Sequence, residues 1–175
     1  MKLPIGESDF RTLIDEKFNF VDKTLFIKEV ITEAAKVILI RRPRRFGKTL
    51  NFSMLQYFFA PEVSSISTKG LFKGLKISQE TIYEDYQGQY PVISLSFKDI
   101  KEDNFALAYD KIYEIIVSLY KNFSYLQKSD ILPEELKFLY TRILKREANQ
   151  AQLKDSLKTL TECLFMHHKK KPLFS

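Results

Sequence analysis

The sequence predicts an α/β fold, a parallel sheet covered by helices on both faces to give three layers. Three observations lead there. Val37-Ile38-Leu39-Ile40 is an apolar, mostly β-branched run that ends at a basic turn, as expected of a short strand buried on both faces. Residues 92–97, Val-Ile-Ser-Leu-Ser-Phe, form a second such run with the partial alternation of an internal parallel strand. Around both lie apolar residues spaced by three and four, the pattern of helices packed on a sheet.

In chain order, Ser8 or Asp9 can cap a short first helix whose apolar face is Phe10, Leu13 and Ile14. Asp22 is a candidate cap for a second helix with Phe26, Ile27, Val30, Ile31 and Ala34 on one side. Asp22-Lys23-Thr24 leads toward the first strand and could instead contact a ligand; capping is the simpler account. After the strand at 37–40 and the basic turn comes a helix with Leu50, Met54, Leu55, Phe58 and Phe59 inward, stopped near Pro61.

Residues 64–88 form a long connection, expected to hold short helical turns near 68–72 and 79–86, because Leu71, Phe72, Leu75, Ile77 and Ile82 need burial. Asp99 follows the second strand, where ligands gather in open sheets, so it is either a Mg²⁺ ligand or a turn residue. From Asn104 the chain reads as helical. The stripes are Ala108, Ile112, Ile115, Ile116, Leu119, Tyr120 and Phe123, then Leu136, Leu139, Tyr140, Ile143 and Leu144 after Pro133-Glu134-Glu135, then Leu153, Leu157, Leu160 and Leu164. Most aromatic residues fall within these stripes and read as core rather than as base-stacking platforms.

The basic turn concentrates the chemistry. It reads Arg41-Arg42-Pro43-Arg44-Arg45-Phe46-Gly47-Lys48-Thr49, and strand, turn and helix in that order are the parts of a P-loop, the Walker A element of P-loop NTPases. Phosphates carry dense negative charge, and a helix N-terminus offers unpaired N–H groups at the positive end of a dipole. Gly47 lets backbone approach closely, Lys48 is placed for β and γ phosphate oxygens, and the Thr49 hydroxyl can ligate Mg²⁺. The candidate nucleotide-binding residues are Arg42, Pro43, Arg44, Arg45, Phe46, Gly47, Lys48, Thr49 and Leu50, with Thr49 on the metal. The full pattern Gly-x4-Gly-Lys-[Ser/Thr] puts its first glycine at Arg42, so the residues alone leave open a solvated basic turn with an incidental Gly-Lys-Thr.

Composition bounds the rest. A chain of 175 residues, 45% hydrophobic, suits one domain with a real core. The single cysteine, Cys163, excludes an intrachain disulfide, fits a reducing compartment and reads as a half-buried structural thiol. The N-terminus lacks a signal-peptide apolar stretch, and no apolar run nears the roughly 18 residues of a membrane span, so the expectation is cytoplasmic with no membrane partner. The net charge of +6 resides partly in the basic turn and partly in Lys169-Lys170-Lys171, and suits a polyphosphate site or a nucleic-acid surface equally. His167 and His168 are adjacent, hence about 100° apart on a helix, poor geometry for a shared metal and expected at the surface.

Residues 40–55, from Ile40 through Arg-Arg-Pro-Arg-Arg-Phe-Gly-Lys-Thr to Leu55, resemble the P-loop of the bacterial and archaeal AAA-ATPase-like family, in which Arg-Pro-Arg-Arg-Phe-Gly-Lys-Thr is itself the signature. Leu3-Pro4-Ile5-Gly6, Phe20-Val21-Asp22-Lys23-Thr24 and residues 90–98 are similar to further segments of that family, so the likeness runs from about Leu3 to the C-terminus. The resemblance accounts for Arg42, because the family tolerates a non-glycine residue there. It implies ATP, or a related nucleoside triphosphate, bound with Mg²⁺ through a variant Walker A loop.

It also implies a later apolar strand ending in Asp-Glu-Tyr-Asp, the Walker B carboxylates that hold Mg²⁺ and orient water. The sequence reaches Lys169 to Ser175 where that strand should start. The expectation is therefore the N-terminal part of one ATPase-like domain spanning 1–175, its sheet incomplete at the C-terminus, binding nucleotide with little or no hydrolysis. Relatives of this type commonly continue into a nuclease-like domain of the PD-(D/E)XK type, which brings nucleic acid in as a partner in the wider family. Two rivals stand beside this reading, a basic nucleic-acid-binding module and a truncated remnant with no ligand. Arg42, Arg44 and Arg45 either reach phosphates, act across a subunit contact, or are solvated charge.

Overall fold

The computed structural model describes every residue except Met1, Ala34, Arg42, Arg44, Arg45, Asp99 and Ser175. The chain is mixed α/β, about half of it helical, with only small sheets. It divides into two compact units, Met1–Tyr90 and Pro91–Ser175.

In the first unit, α1 (Phe10–Asp15) starts where the Asp9 carboxylate accepts the Thr12 N–H at 2.8 Å, so Asp9 is the cap of the two candidates, Ser8 and Asp9. The second helix, α2 (Leu25–Thr32), has Thr24 rather than Asp22 at its cap position. Asp22 is engaged elsewhere, as described below. Next, α3 (Lys48–Phe59) buries Met54, Leu55, Phe58 and Phe59 of the face its spacing predicts, together with Asn51 and Tyr57, while Leu50 is only partly covered. The hairpin of β1 (Glu62–Val63) and β2 (Ile66–Ser67) turns at Ser64 and Ser65, both at positive φ, the backbone a two-residue turn needs to match strand twist. A 3-10 turn (Lys76–Gln79) and the single-turn α4 (Tyr83–Tyr86) complete the unit. Its core is aromatic. Phe10 stacks on Phe72 at 5.0 Å and Phe58 meets Phe72 edge-on at 5.3 Å, with Leu13, Ile27 and Ile77 fully enclosed.

In the second unit, β3 (Val92–Ile93) pairs in parallel with β4 (Leu173–Phe174). Asn104 caps α5 (Phe105–Lys121), and a 3-10 turn (Ser124–Lys128) leads to α6 (Glu134–Leu144). A capping box between Asn149 and Gln152 opens α7 (Gln150–Lys154), and α8 (Ser156–His168) follows after Asp155. Ile93, Tyr120, Leu126, Ile143, Leu160 and Leu164 form the fully buried centre. On α5 the inward face is rotated from the predicted stripe. Tyr113 and Val117 are buried while Ile112 is partly exposed, because the Tyr113 hydroxyl turns inward to accept the Ala148 N–H at 3.0 Å.

A three-layer parallel sheet is not seen among the described residues, whose strands form two sheets of two strands each. The strand expected at 37–40 is corrected. Val37 and Leu39 are 84% and 71% exposed, and the segment pairs with no described strand. A β-branched run becomes a buried strand only when neighbours satisfy its N–H and C=O groups, and its composition cannot supply them. The second expected strand shortens to Val92–Ile93 for the same reason, since the ladder with β4 extends over two residue pairs.

Candidate functional site

The basic turn delivers the chain to the first residue of α3. Gly47 is the N-cap, at φ 69° and ψ 23°, a left-handed conformation that a side-chain-bearing residue adopts only with strain. Among the described residues space is not the constraint there, because a Cβ on Gly47 would meet none of them within 4 Å. The Gly47 carbonyl accepts the Asn51 N–H at 2.9 Å and closes the first turn. Among the described residues, no group accepts from the N–H of Gly47, Lys48, Thr49 or Leu50. These are the orphan donors at the positive end of a three-turn helix.

Around them Pro43, Phe46, Gly47 and Thr49 are exposed and Lys48 and Leu50 are partly covered. The Lys48 ammonium and Thr49 hydroxyl bond to no described group. Gly47, Lys48, Thr49 and Leu50 are thus brought together at one helix end. Arg42, Arg44 and Arg45, and the separate Mg²⁺ candidate Asp99, lie outside the described residues. The donor set fits a phosphate group and a hard cation: amides with no acceptor among the described residues, one ammonium and one hydroxyl.

The other ligand candidate is committed internally. Asp22 accepts the Thr24 N–H at 2.8 Å and its hydroxyl at 2.7 Å, and reaches across to the Lys76 N–H at 2.8 Å. Fully buried Thr24 accepts the Ile77 N–H. Burial pushes the Asp22 carboxyl upward, but the hydrogen bonds from Lys76 and Thr24 and the Lys76 charge outweigh it and hold it below the ordinary value. This segment is a latch that fastens α2 to the 3-10 turn at Lys76–Gln79, which sequence spacing alone did not reveal.

The histidines are corrected from open surface to half-buried. Ser129 Oγ lies 2.8 Å from His167 Nδ1 and the Tyr125 hydroxyl 2.7 Å from His168 Nε2. Burial, and then the neighbouring His167, lower the His168 pKa. Cys163 is fully enclosed rather than half-buried, and burial pushes its thiol up to about 11. Among the described residues no helix is long and apolar enough to cross a membrane, and no group of three His, Cys, Asp or Glu side chains is placed to hold a metal ion.

A family model described as a predicted AAA-ATPase matches residues 4–173. A protein of Azotobacter chroococcum mcd 1, described as an uncharacterized protein in the vnfD 5′ region, is 34% identical over 97 residues, 55% of this chain. The match spans 17% of that relative's length. No solved structure matches the chain.

Proposed function

The chain belongs to the predicted AAA-ATPase family, and on that premise we propose that it binds a nucleoside triphosphate, ATP first among them, with Mg²⁺ at the start of α3. The observation that carries this reading is the left-handed Gly47 opening a twelve-residue helix whose first amides have no described acceptor. In this reading Lys48 neutralises the β and γ phosphate oxygens, the amides from Arg45 to Thr49 hold their lone pairs, and the Thr49 hydroxyl holds the metal. Mg²⁺ would be held by the Thr49 hydroxyl and would offset phosphate charge. Arg42, Arg44 and Arg45 are assigned here to the same polyphosphate, Pro43 and Phe46 to the shape of the loop, and Leu50 to the first free turn. The setting proposed is cytoplasmic, in line with the single buried thiol.

A titration with a fluorescent ATP analogue and Mg²⁺ tests it. Wild type should saturate, and Lys48→Ala should weaken binding by about tenfold or more, the loss of one charge-assisted contact. Binding that survives Lys48→Ala, falls steeply with salt and prefers DNA or RNA would replace this reading with the nucleic-acid one.

A further inference from the structure

We propose that Asp9 is a positioning residue for the nucleotide site, setting the direction of α3 and hence of its first-turn amides; this rests on the nucleotide reading above. The N-cap of α1 and the side of α3 are joined through this one carboxylate. Oδ1 of Asp9 accepts the Thr12 N–H at 2.8 Å and the Thr12 hydroxyl at 3.1 Å, which starts α1. Its other oxygen, Oδ2, faces α3, where the Tyr57 hydroxyl donates at 3.0 Å and the Ser53 hydroxyl lies at 3.4 Å. Ser53 answers by accepting the Phe10 N–H at 2.9 Å. The two helices therefore exchange donors and acceptors at one point rather than touching through apolar surface alone.

That point lies where α3 needs it. Ser53 is one helical turn beyond Thr49, and Tyr57 one turn further, so both stand on the same side of the helix as Thr49. The far end of α3 is held separately, by the Gly88 N–H on the Phe58 carbonyl at 2.8 Å and the Tyr90 N–H on the Phe59 carbonyl at 2.9 Å. With the C-terminal end fixed, Asp9 determines where the N-terminal end points. A phosphate held by several amides at once requires their positions to be set within about 0.5 Å and their directions within about 10–20°, and a rigid helix carries a tilt at Ser53 directly to Gly47. Burial, and then the Asp9 carboxylate, push the Tyr57 phenol up to about 12, which fits a hydroxyl that stays a donor at every working pH.

The test separates α1 capping from α3 positioning. Asp9→Asn keeps a side-chain oxygen for the Thr12 N–H, since asparagine caps helices as well as aspartate, but removes the charged acceptor facing Tyr57. Tyr57→Phe removes the donor from the other side and keeps the ring. Each variant should weaken Mg-ATP binding about fivefold, the fold-change expected for one hydrogen bond. The double variant should be no weaker than Asp9→Asn alone, because Tyr57→Phe then removes a donor whose charged acceptor is already gone.

In the ligand-free protein, both variants should also move the amide resonances of Lys48, Thr49 and Leu50. Thermal midpoints that fall while Mg-ATP affinity and those resonances stay at wild-type values would overturn the proposal and leave Asp9 as a helix cap. If wild type itself binds no Mg-ATP, the nucleotide reading fails by that result, and the amide resonances decide the anchoring of α3 independently.

Discussion

Thr24 Oγ1 accepts the backbone N–H of Ile77 at 3.1 Å, although the two residues are 53 apart in sequence. Both are fully buried, so the bond is shielded from water and its loss leaves a donor with no alternative. Thr24→Val, which keeps the shape, should therefore destabilise the chain by about 1–3 kcal/mol in urea denaturation. An unchanged midpoint would show that the contact carries no net stability.

Asp22 gives the same latch a pH dependence. Its carboxyl is held below the ordinary 3.8, so its contribution is complete above that value and is lost as pH falls through the lower, folded-state value. Urea midpoints taken from pH 6 down to pH 3 should fall more in wild type than in Asp22→Asn, whose side chain does not titrate. Parallel curves would assign the acid sensitivity to other groups.

Tyr140 closes the end of α5. Its hydroxyl reaches the Tyr120 carbonyl at 2.6 Å and the Phe123 carbonyl at 2.9 Å, and Tyr120 in turn donates to the Ser156 carbonyl at 2.7 Å. Tyr140→Phe should cost about 1–2 kcal/mol. Burial raises both phenols well above the ordinary 10, so stability is intact below pH 10 and is lost as pH rises and the unfolded chain ionises first. Tyrosinate absorbance for these two should appear together with loss of near-ultraviolet circular dichroism. Ionisation before unfolding would contradict their burial.

His168 acts at milder pH. Because its folded value lies below 6.5, the unfolded chain takes up the proton first. The neutral form's advantage is complete above pH 6.5 and is lost as pH falls toward the folded value. Denaturant midpoints at pH 7.5 and 5.5 should differ in wild type by more than in His168→Gln. Equal differences would remove His168 from the account.

How much of this was legible from residues depends on the range of the interaction. The Asp9 cap, the inward face of α3 and the starts of α5 and α6 follow from neighbours within a turn, where side-chain chemistry and spacing act directly. The run at 37–40 misled because strand formation needs partners, and apolar composition says nothing about whether they are present. The Thr24–Ile77 and Asp9–Tyr57 bonds were invisible for a related reason: each joins residues about 50 positions apart, and a lone Asp or Thr gives no signal of its distant acceptor or donor. Near the candidate site, the start of α3 directly after Gly47 was legible because a helix start is itself local, fixed by one glycine and the apolar spacing that follows it.

The most direct measurement is to follow the amide signals of Gly47, Lys48, Thr49 and Leu50 by nitrogen-proton correlation spectroscopy as Mg-ATP is added. The account predicts large, saturable shifts at these amides in wild type, absent from Lys48→Ala at the same concentrations. Saturating Mg-ATP that leaves them unmoved, or moves only signals around Lys169, Lys170 and Lys171, would contradict it.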